Sequence, residues 1–94
     1  MPRFLIESPH TGDECLHVLD WILAQGSILL SKYDFCCMED NHTGYVIVEA
    51  PSKADARYSV PPTIRKKARI VELQKFSPEE IRSFHQGSRA DPRT

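Results

Sequence analysis

The sequence predicts an α+β fold with a four-stranded antiparallel sheet and helices on one face of it. Strand-like and helix-like segments follow one another along the 94 residues in the order β-α-β-β-α-β, and one further helix-like segment follows. The strand-like segments are short and apolar, and prolines or turn residues close them. We expect the first and third strands in the middle of the sheet and the other two at its edges.

The first half of the chain begins with a predicted strand over residues 3–8. Thr11 is the expected N-cap of the first helix, because Glu14 follows three residues later as in a capping box. Apolar residues at helical spacing extend this helix over residues 13–25. Residues 27–30 are expected to connect it to the second strand, either as a plain connector or with one helical turn.

The second half of the chain contains the strongest strand signal, an apolar run over residues 45–50. We expect a half-polar edge strand over residues 32–39 and a turn over residues 40–44, which join this run in a hairpin. A second helix is predicted over residues 52–60, where two prolines stop it. The last strand is predicted over residues 68–76.

A last helix is predicted to begin in the segment from Ser77 to Glu80, which combines a cap, a proline at the first helical position and acidic residues in the first turn. The helix is expected to end near Gly87. Residues 1–87 then form one domain, and residues 88–94 are expected to be a disordered tail. The resulting order is the split βαβ arrangement of the ferredoxin-like fold.

The predicted strands carry apolar residues on both faces, as strands covered on both sides do. In the central strand, Ile47 lies between Val46 and Val48. With helices on one face, the sheet of a second copy is the simplest cover for the other, and we expect a homodimer. The alternative is a monomer in which the C-terminal helix covers part of the open face.

Composition excludes several classes of partner. The net charge of -1, with 12 basic and 13 acidic residues, gives no general attraction to nucleic acid or to an anionic membrane. No apolar run approaches the ~18 residues that a membrane span needs. The three cysteines are an odd number, and Cys36 and Cys37 are adjacent. We therefore expect no disulfide framework and a cytoplasmic location.

Four side chains with metal-ligating atoms are predicted to meet at one edge of the sheet. His10 follows the first strand, Cys15 lies on the apolar stripe of the first helix, and His42 lies in the hairpin turn. The second strand runs parallel to the first and ends at the same edge with Cys36 and Cys37. Strand alternation lets one of these two face the helix, and we choose Cys37 because it shares a face with the aromatic residues of its strand.

Two imidazoles and two thiolates are a ligand set for tetrahedral Zn²⁺, and the same atoms can hold Ni²⁺ or copper. They predict a small cytoplasmic metal-binding protein with a role in sensing, storage or trafficking. One alternative is an enzyme with Cys15 or Cys37 as a nucleophilic or redox thiol and His10 or His42 as its base. Another is an interaction module without a site, in which Cys15 is a core residue and both histidines are ordinary loop residues.

The remaining titratable residues give weaker signals. His17 and His85 are expected to be ordinary surface or partly buried histidines. The basic run over residues 65–69 is interpreted as a solvated loop, because the total charge is balanced. A small acidic ligand held between this run and the four-residue cluster is a further hypothesis. The sequence contains no glycine-rich phosphate loop and no nucleophile elbow.

Several segments together resemble a known group of proteins. They are Ser8-Pro9-His10-Thr11, Cys15, Asn41-His42-Thr43-Gly44-Tyr45, Ile47-Val48-Glu49-Ala50 and Val60-Pro61-Pro62. The chain resembles small uncharacterised bacterial proteins of the ferredoxin-like, dimeric α+β-barrel type over residues 2–85. It is also similar in architecture to small bacterial nickel-binding ferredoxin-like proteins. The resemblance implies the fold and a homodimer, and it gives no ligand set.

Overall fold

Four strands form one antiparallel sheet in the computed structural model, which describes residues 1–39 and 41–86 of the chain. The strands are β1 (Arg3–Pro9), β2 (Tyr33–Phe35), β3 (Thr43–Glu49) and β4 (Arg69–Leu73). Their order in the sheet is β2-β3-β1-β4, and every neighbouring pair is antiparallel. The predicted four-stranded antiparallel sheet is confirmed, with the first and third strands in its middle.

The described residues also form helices of two kinds, which lie between the strands or follow the last one. The α-helices are α1 (Cys15–Gln25), α2 (Ser27–Lys32), α3 (Lys53–Ala56) and α4 (Pro78–Gln86). The shorter 3₁₀ helices are Gly12–Glu14, Cys37–Glu39, Arg57–Ser59 and Arg65–Lys67. The α+β class predicted from the alternation of patterns is therefore correct.

β3 is an interior strand and lies directly beside β1. Val46 is paired with Ile6 and Val48 with Phe4, so apolar residues of the two strands stand side by side on one face. The predicted position of the strongest strand signal is confirmed. β3 begins two residues earlier than predicted, because its pairing with β1 continues to Thr43.

The second strand is shorter than the sequence predicts. The prediction covers residues 32–39, whereas β2 spans only Tyr33–Phe35. After Cys36 the chain turns into the 3₁₀ helix Cys37–Glu39, in which the N–H of Glu39 donates to the carbonyl of Cys36 at 3.0 Å. An edge strand has a partner on one side only, so a local turn competes easily with its ladder.

The helices also differ in extent from the prediction. α2 forms where a connector is expected, because Gly26 adopts a φ of 122° that separates it from α1. Leu29 and Leu30 of this helix pack against the core. The second predicted helix, residues 52–60, is reduced to α3 and a 3₁₀ turn, since Val60 is extended and buried in the core.

The apolar core lies on one face of the sheet. β1 contributes Phe4 and Ile6, and α1 contributes Val18 and Ile22, each 2% exposed or less. Burying side chains of this size stabilises the fold by about 1.5–3 kcal/mol each. The odd-numbered residues of β1 and β3 point to the opposite face, where Ile47 is 48% exposed. We call this second face the open face.

The last helix begins as predicted. The hydroxyl of Ser77 accepts the N–H of Glu80 at 3.1 Å, and the carboxylate of Glu80 accepts the N–H of Ser77 at 2.9 Å. No residue of α4, as far as the structure describes it, is buried. The predicted tail, residues 88–94, lies outside the described residues. Among the described residues, no helix is long and apolar enough to cross a membrane.

Candidate metal centre

Two connections at one edge of the sheet, from β1 to α1 and from β2 to β3, supply the four predicted residues. His10 directly follows β1, and Cys15 is the first residue of α1. Cys37 opens the 3₁₀ helix after β2, and His42 directly precedes β3. One ligand atom from each of the four side chains lies within 4.8 Å of the others. The structure thus brings together the four residues predicted from topology.

His10 presents one ring nitrogen to the cluster and fixes the other. Its Nδ1 atom lies 3.1 Å from the carbonyl oxygen of Ser8. A carbonyl can only accept, so the proton belongs on Nδ1 and Nε2 keeps its lone pair. Nε2 lies 3.8 Å from Sγ of Cys37. With 8% of its surface exposed, this ring is held in the orientation that a metal ligand needs.

A backbone hydrogen bond holds His42 next to His10. The N–H of His10 donates to the carbonyl of His42 at 2.8 Å, and the two ring centroids are 5.9 Å apart. Nδ1 of His42 is buried and has no hydrogen-bond partner among the described residues. A buried polar atom without a partner is rare in folded proteins. Coordination of a cation would satisfy it.

The two thiols of the cluster are in direct contact. Sγ of Cys15 donates to Sγ of Cys37 at 3.4 Å. Burial raises the pKa of the Cys37 thiol, and the hydrogen bond and the charge of Cys15 raise it further. Two thiolates at this distance would repel each other, so without a metal the protonated form of Cys37 is favoured. A bound cation reverses this preference, because it stabilises thiolates directly.

Cys36 takes no part in the cluster. Its Sγ donates to the carbonyl of Asn41 at 2.9 Å and lies 3.4 Å from that of Thr43. The structure therefore places Cys37, and not Cys36, in the cluster, but the reason given for choosing it is wrong. Cys37 reaches the cluster from a 3₁₀ turn, and the face alternation of an extended strand does not apply there.

The 3₁₀ helix Gly12–Glu14, which leads directly into α1 and Cys15, is fixed by a capping box and an ion pair. Thr11 Oγ1 accepts the N–H of Glu14 at 3.2 Å, and Glu14 Oε1 accepts the N–H of Thr11 at 2.8 Å. The ammonium of Lys67 lies 2.9 Å from the same oxygen. These contacts, Thr11 first, lower the pKa of Glu14 to about 2. The capping box is predicted from the sequence, whereas the role of Lys67 is not.

Two glycines and a serine shape the site without being ligands. A Cβ atom on Gly12 would lie 3.4 Å from Nε2 of His42. A Cβ atom on Gly44 would lie 3.0 Å from Oγ of Ser8 and 3.1 Å from Cε1 of Phe35. None of these three roles is predicted from the sequence. The signal that could have found them is the presence of small residues beside each histidine, at Ser8, Gly12 and Gly44.

Most side chains of the basic run form contacts with other residues of the chain. The Arg65 guanidinium donates twice to the carbonyl of Val60, at 3.0 and 2.9 Å, and lies 5.0 Å from the ring centroid of Tyr58. Arg69 lies 3.4 Å from Glu7, and Lys67 pairs with Glu14 as described. The hypothesis of an acidic ligand therefore loses three of its four cations to internal contacts.

The geometry of the cluster suits a tetrahedral metal. With metal–ligand bonds of about 2.0–2.3 Å, neighbouring ligand atoms lie roughly 3.3–3.8 Å apart. The 4.8 Å limit of the cluster exceeds this by about 1 Å, which small side-chain rotations can close. His17 and His85 are exposed and lie outside the cluster. The four converging side chains can therefore hold one ion with two nitrogen and two sulfur atoms.

Comparison of the chain with protein-family models, with curated proteins and with solved structures finds no match.

Proposed function

We propose that the protein binds one transition-metal ion through His10, Cys15, Cys37 and His42, and that Zn²⁺ is the ion that fits best. The convergence of their ligand atoms within 4.8 Å carries this proposal. A set of two imidazoles and two thiolates is typical of tetrahedral zinc. Ni²⁺ and copper compete for the same atoms. The ion binds reversibly, and the protein acts in metal sensing, storage or trafficking.

The separation between the cluster and the core supports a reversible role. None of the described core residues belongs to the cluster, and Phe4, Ile6 and Ile22 are buried without it. Domains that need zinc to fold have little core of their own. Here the fold can form first and present the ligands afterwards. A metal that does not hold the fold together can be exchanged.

The thiol-enzyme alternative has less support from the geometry. A catalytic cysteine is commonly activated by a lowered pKa, whereas burial raises the pKa of the Cys37 thiol. A cavity of about 290 Å³ lies on the open face, lined by Leu5, Lys32, Asp34, Tyr45, Val46 and Ile47. None of the four cluster residues lines this cavity. A substrate bound in this cavity would therefore be lined by none of the cluster residues.

Zinc titration of untagged, metal-free protein tests the proposal. We expect one Zn²⁺ per chain by competition with a chromogenic chelator. Cys15→Ala and His42→Ala should each weaken binding by more than about 100-fold, since outer-shell changes alone cost about 10–100-fold. The matched controls are Cys36→Ala and His17→Ala, which should bind as the unchanged protein does. Equal affinity in all five proteins would refute the proposal.

We further propose that the fold is ferredoxin-like and that two chains pair through their open faces. Apolar side chains line this face, namely Leu5, Tyr45, Ile47, Val71 and Leu73. They are accompanied by three cations and three anions, namely Arg3, Lys32, Arg69, Glu7, Asp34 and Glu49. A face with balanced charge fits a second copy of itself better than an acidic or a basic partner.

A further inference from the structure

Cys15 and Cys37 are placed for a second reaction besides metal binding. Their sulfur atoms are 3.4 Å apart. This distance lies between the ~2.0 Å of a disulfide bond and the roughly 3.8 Å between two thiolates on tetrahedral zinc. Each residue begins a helical segment, so a small rotation of either side chain can close or open the gap. Both thiols are half-buried rather than sealed in the core.

We infer that Cys15 and Cys37 form a reversible disulfide, and that its formation releases the metal. This inference rests on the proposed function for the release step, while the formation of the disulfide depends only on the thiol pair. The protein would then give up its ion when hydroperoxides accumulate and bind it again after reduction. The cluster is thereby assigned as a site of oxidative modification.

The reaction balances with hydrogen peroxide as the oxidant. One of the two sulfurs attacks a peroxide oxygen as its thiolate, which in the metal-free protein forms by loss of the proton to solvent, the O–O bond breaks, and a sulfenic acid and one molecule of water form after protonation. The second thiolate attacks the sulfenic sulfur, the S–O bond breaks, and hydroxide leaves and becomes a second water. Two thiolate sulfurs lose one electron each, and the peroxide takes up both electrons and two protons. The disulfide has no thiolate to offer, so only two imidazoles remain for the metal.

Cys36 is the other thiol that could form a disulfide with Cys37, but its sulfur is engaged in a hydrogen bond. It is adjacent to Cys37 in the chain, but its Sγ is bonded to the carbonyl of Asn41 at 2.9 Å. A disulfide between neighbouring residues is strained. The disulfide from Cys15 to Cys37 instead joins two segments 22 residues apart that the metal also joins. It therefore preserves the arrangement of both segments after the metal has left.

The experiment oxidises the unchanged protein and Cys36→Ser with hydrogen peroxide, each in metal-free and zinc-loaded form. Peptide mapping by mass spectrometry identifies the disulfide, and a chromogenic chelator measures released zinc. We expect the disulfide from Cys15 to Cys37 in all four samples. Zinc release should equal disulfide formation mole for mole in both loaded samples, and a dithiol reductant should restore binding.

The possible failures are distinguishable. Zinc binding without release, or release with a Cys36–Cys37 disulfide or a sulfinic acid as the product, overturns this inference and leaves the proposed function standing. Failure to bind zinc at all overturns the proposed function and the release step with it. In that case the metal-free samples decide the remaining claim, and the absence of the Cys15–Cys37 disulfide there overturns it.

Discussion

His42 carries the clearest local mark of a ligand, a ring nitrogen that is buried with no hydrogen-bond partner among the described residues. Leaving a buried polar atom in this state costs about 1–3 kcal/mol. Cys37 shows a related mark, since burial raises the pKa of its thiol. A cation relieves both, because it accepts the nitrogen lone pair and stabilises the thiolate. Each residue is therefore unfavourable alone and favourable with a metal.

We predict that replacing Gly44, which lies beside the cluster, destabilises the folded state. In Gly44→Ala, the new Cβ would lie 3.0 Å from Oγ of Ser8 and 3.1 Å from Cε1 of Phe35. Ser8 is fully buried and Phe35 is stacked on Tyr33 with ring centroids 5.4 Å apart, so neither can move freely. We expect a loss of about 1–3 kcal/mol in the free energy of unfolding, measured with urea.

Gly12→Ala is the matched control for this substitution. The nearest atom to its Cβ would be Nε2 of His42 at 3.4 Å, which is an ordinary contact at an exposed position. We expect a change within about 0.5 kcal/mol. Equal losses in the two variants would contradict the packing described around Gly44.

Single residues also show how far sequence reasoning reaches. Topology places His10, Cys15 and His42 at one edge of the sheet, because strand direction fixes which ends meet. It cannot decide between Cys36 and Cys37, since that depends on one turn hydrogen bond, from the N–H of Glu39 to the carbonyl of Cys36 at 3.0 Å. Cys37 is chosen because it would share a strand face with Tyr33 and Phe35, but β2 ends at Phe35 and Cys37 lies in a 3₁₀ turn.

At the scale of elements, the start of α1 determines where Cys15 lies. The pKa of Glu14 is lowered from its ordinary value of 4.5 to about 2, first by the N–H of Thr11 and then by Lys67. A carboxylate with a lowered pKa stabilises the folded state above its unfolded pKa. That contribution is lost as the pH falls from about 4.5 towards 2.

Glu14→Gln should remove this dependence on pH in the metal-free protein. We expect the unchanged protein to be more stable than Glu14→Gln at pH 6, and the difference to shrink below about pH 4.5. Thermal unfolding across this pH range measures it. Glu79→Gln, an exposed residue of α4, serves as the control. A difference that stays constant down to pH 2 would show that Glu14 does not stabilise the start of α1.

Elements with a strong local signal are predicted better than those decided by packing. β3 follows from an apolar run, and the start of α4 follows from the cap at Ser77 and the proline after it, all of which exist in the structure. β2 and α2 depend instead on where one edge of the sheet ends and on how Leu29 and Leu30 reach the core. The contact of Lys67 with Glu14 joins residues 53 positions apart, which no local pattern reveals.

At the scale of the whole molecule, the open face predicts a homodimer. Four strands about 4.8 Å apart and up to seven residues long, at about 3.3 Å per residue, present a face of roughly 19 by 23 Å. The sheet alone thus presents about 440 Å², roughly half of the ~800 Å² per partner that a standard interface buries, so residues around the sheet must contribute to the pairing as well. No residue of α4, within the described part of the chain, is buried, so this helix does not pack as a core element over the face.

Ile47→Glu should convert the dimer to a monomer without unfolding it, because Ile47 is 48% exposed in the single chain. Light scattering at ~50 μM, far above the Kd of a typical obligate dimer, measures the mass. Ile28→Glu is the control, since Ile28 is 74% exposed on α2 and away from the open face. A monomer mass for the unchanged protein would contradict the dimer.

X-ray absorption at the metal edge tests the central claim most directly, because it reports which atoms surround the ion. For the zinc-loaded protein we predict two sulfur atoms at about 2.3 Å and two nitrogen atoms at about 2.0 Å. In Cys15→Ala one sulfur should be replaced by a lighter atom, and in Cys36→Ala the spectrum should not change. A coordination shell of nitrogen and oxygen alone, or loss of sulfur in Cys36→Ala, would contradict the assignment of His10, Cys15, Cys37 and His42 as the metal ligands.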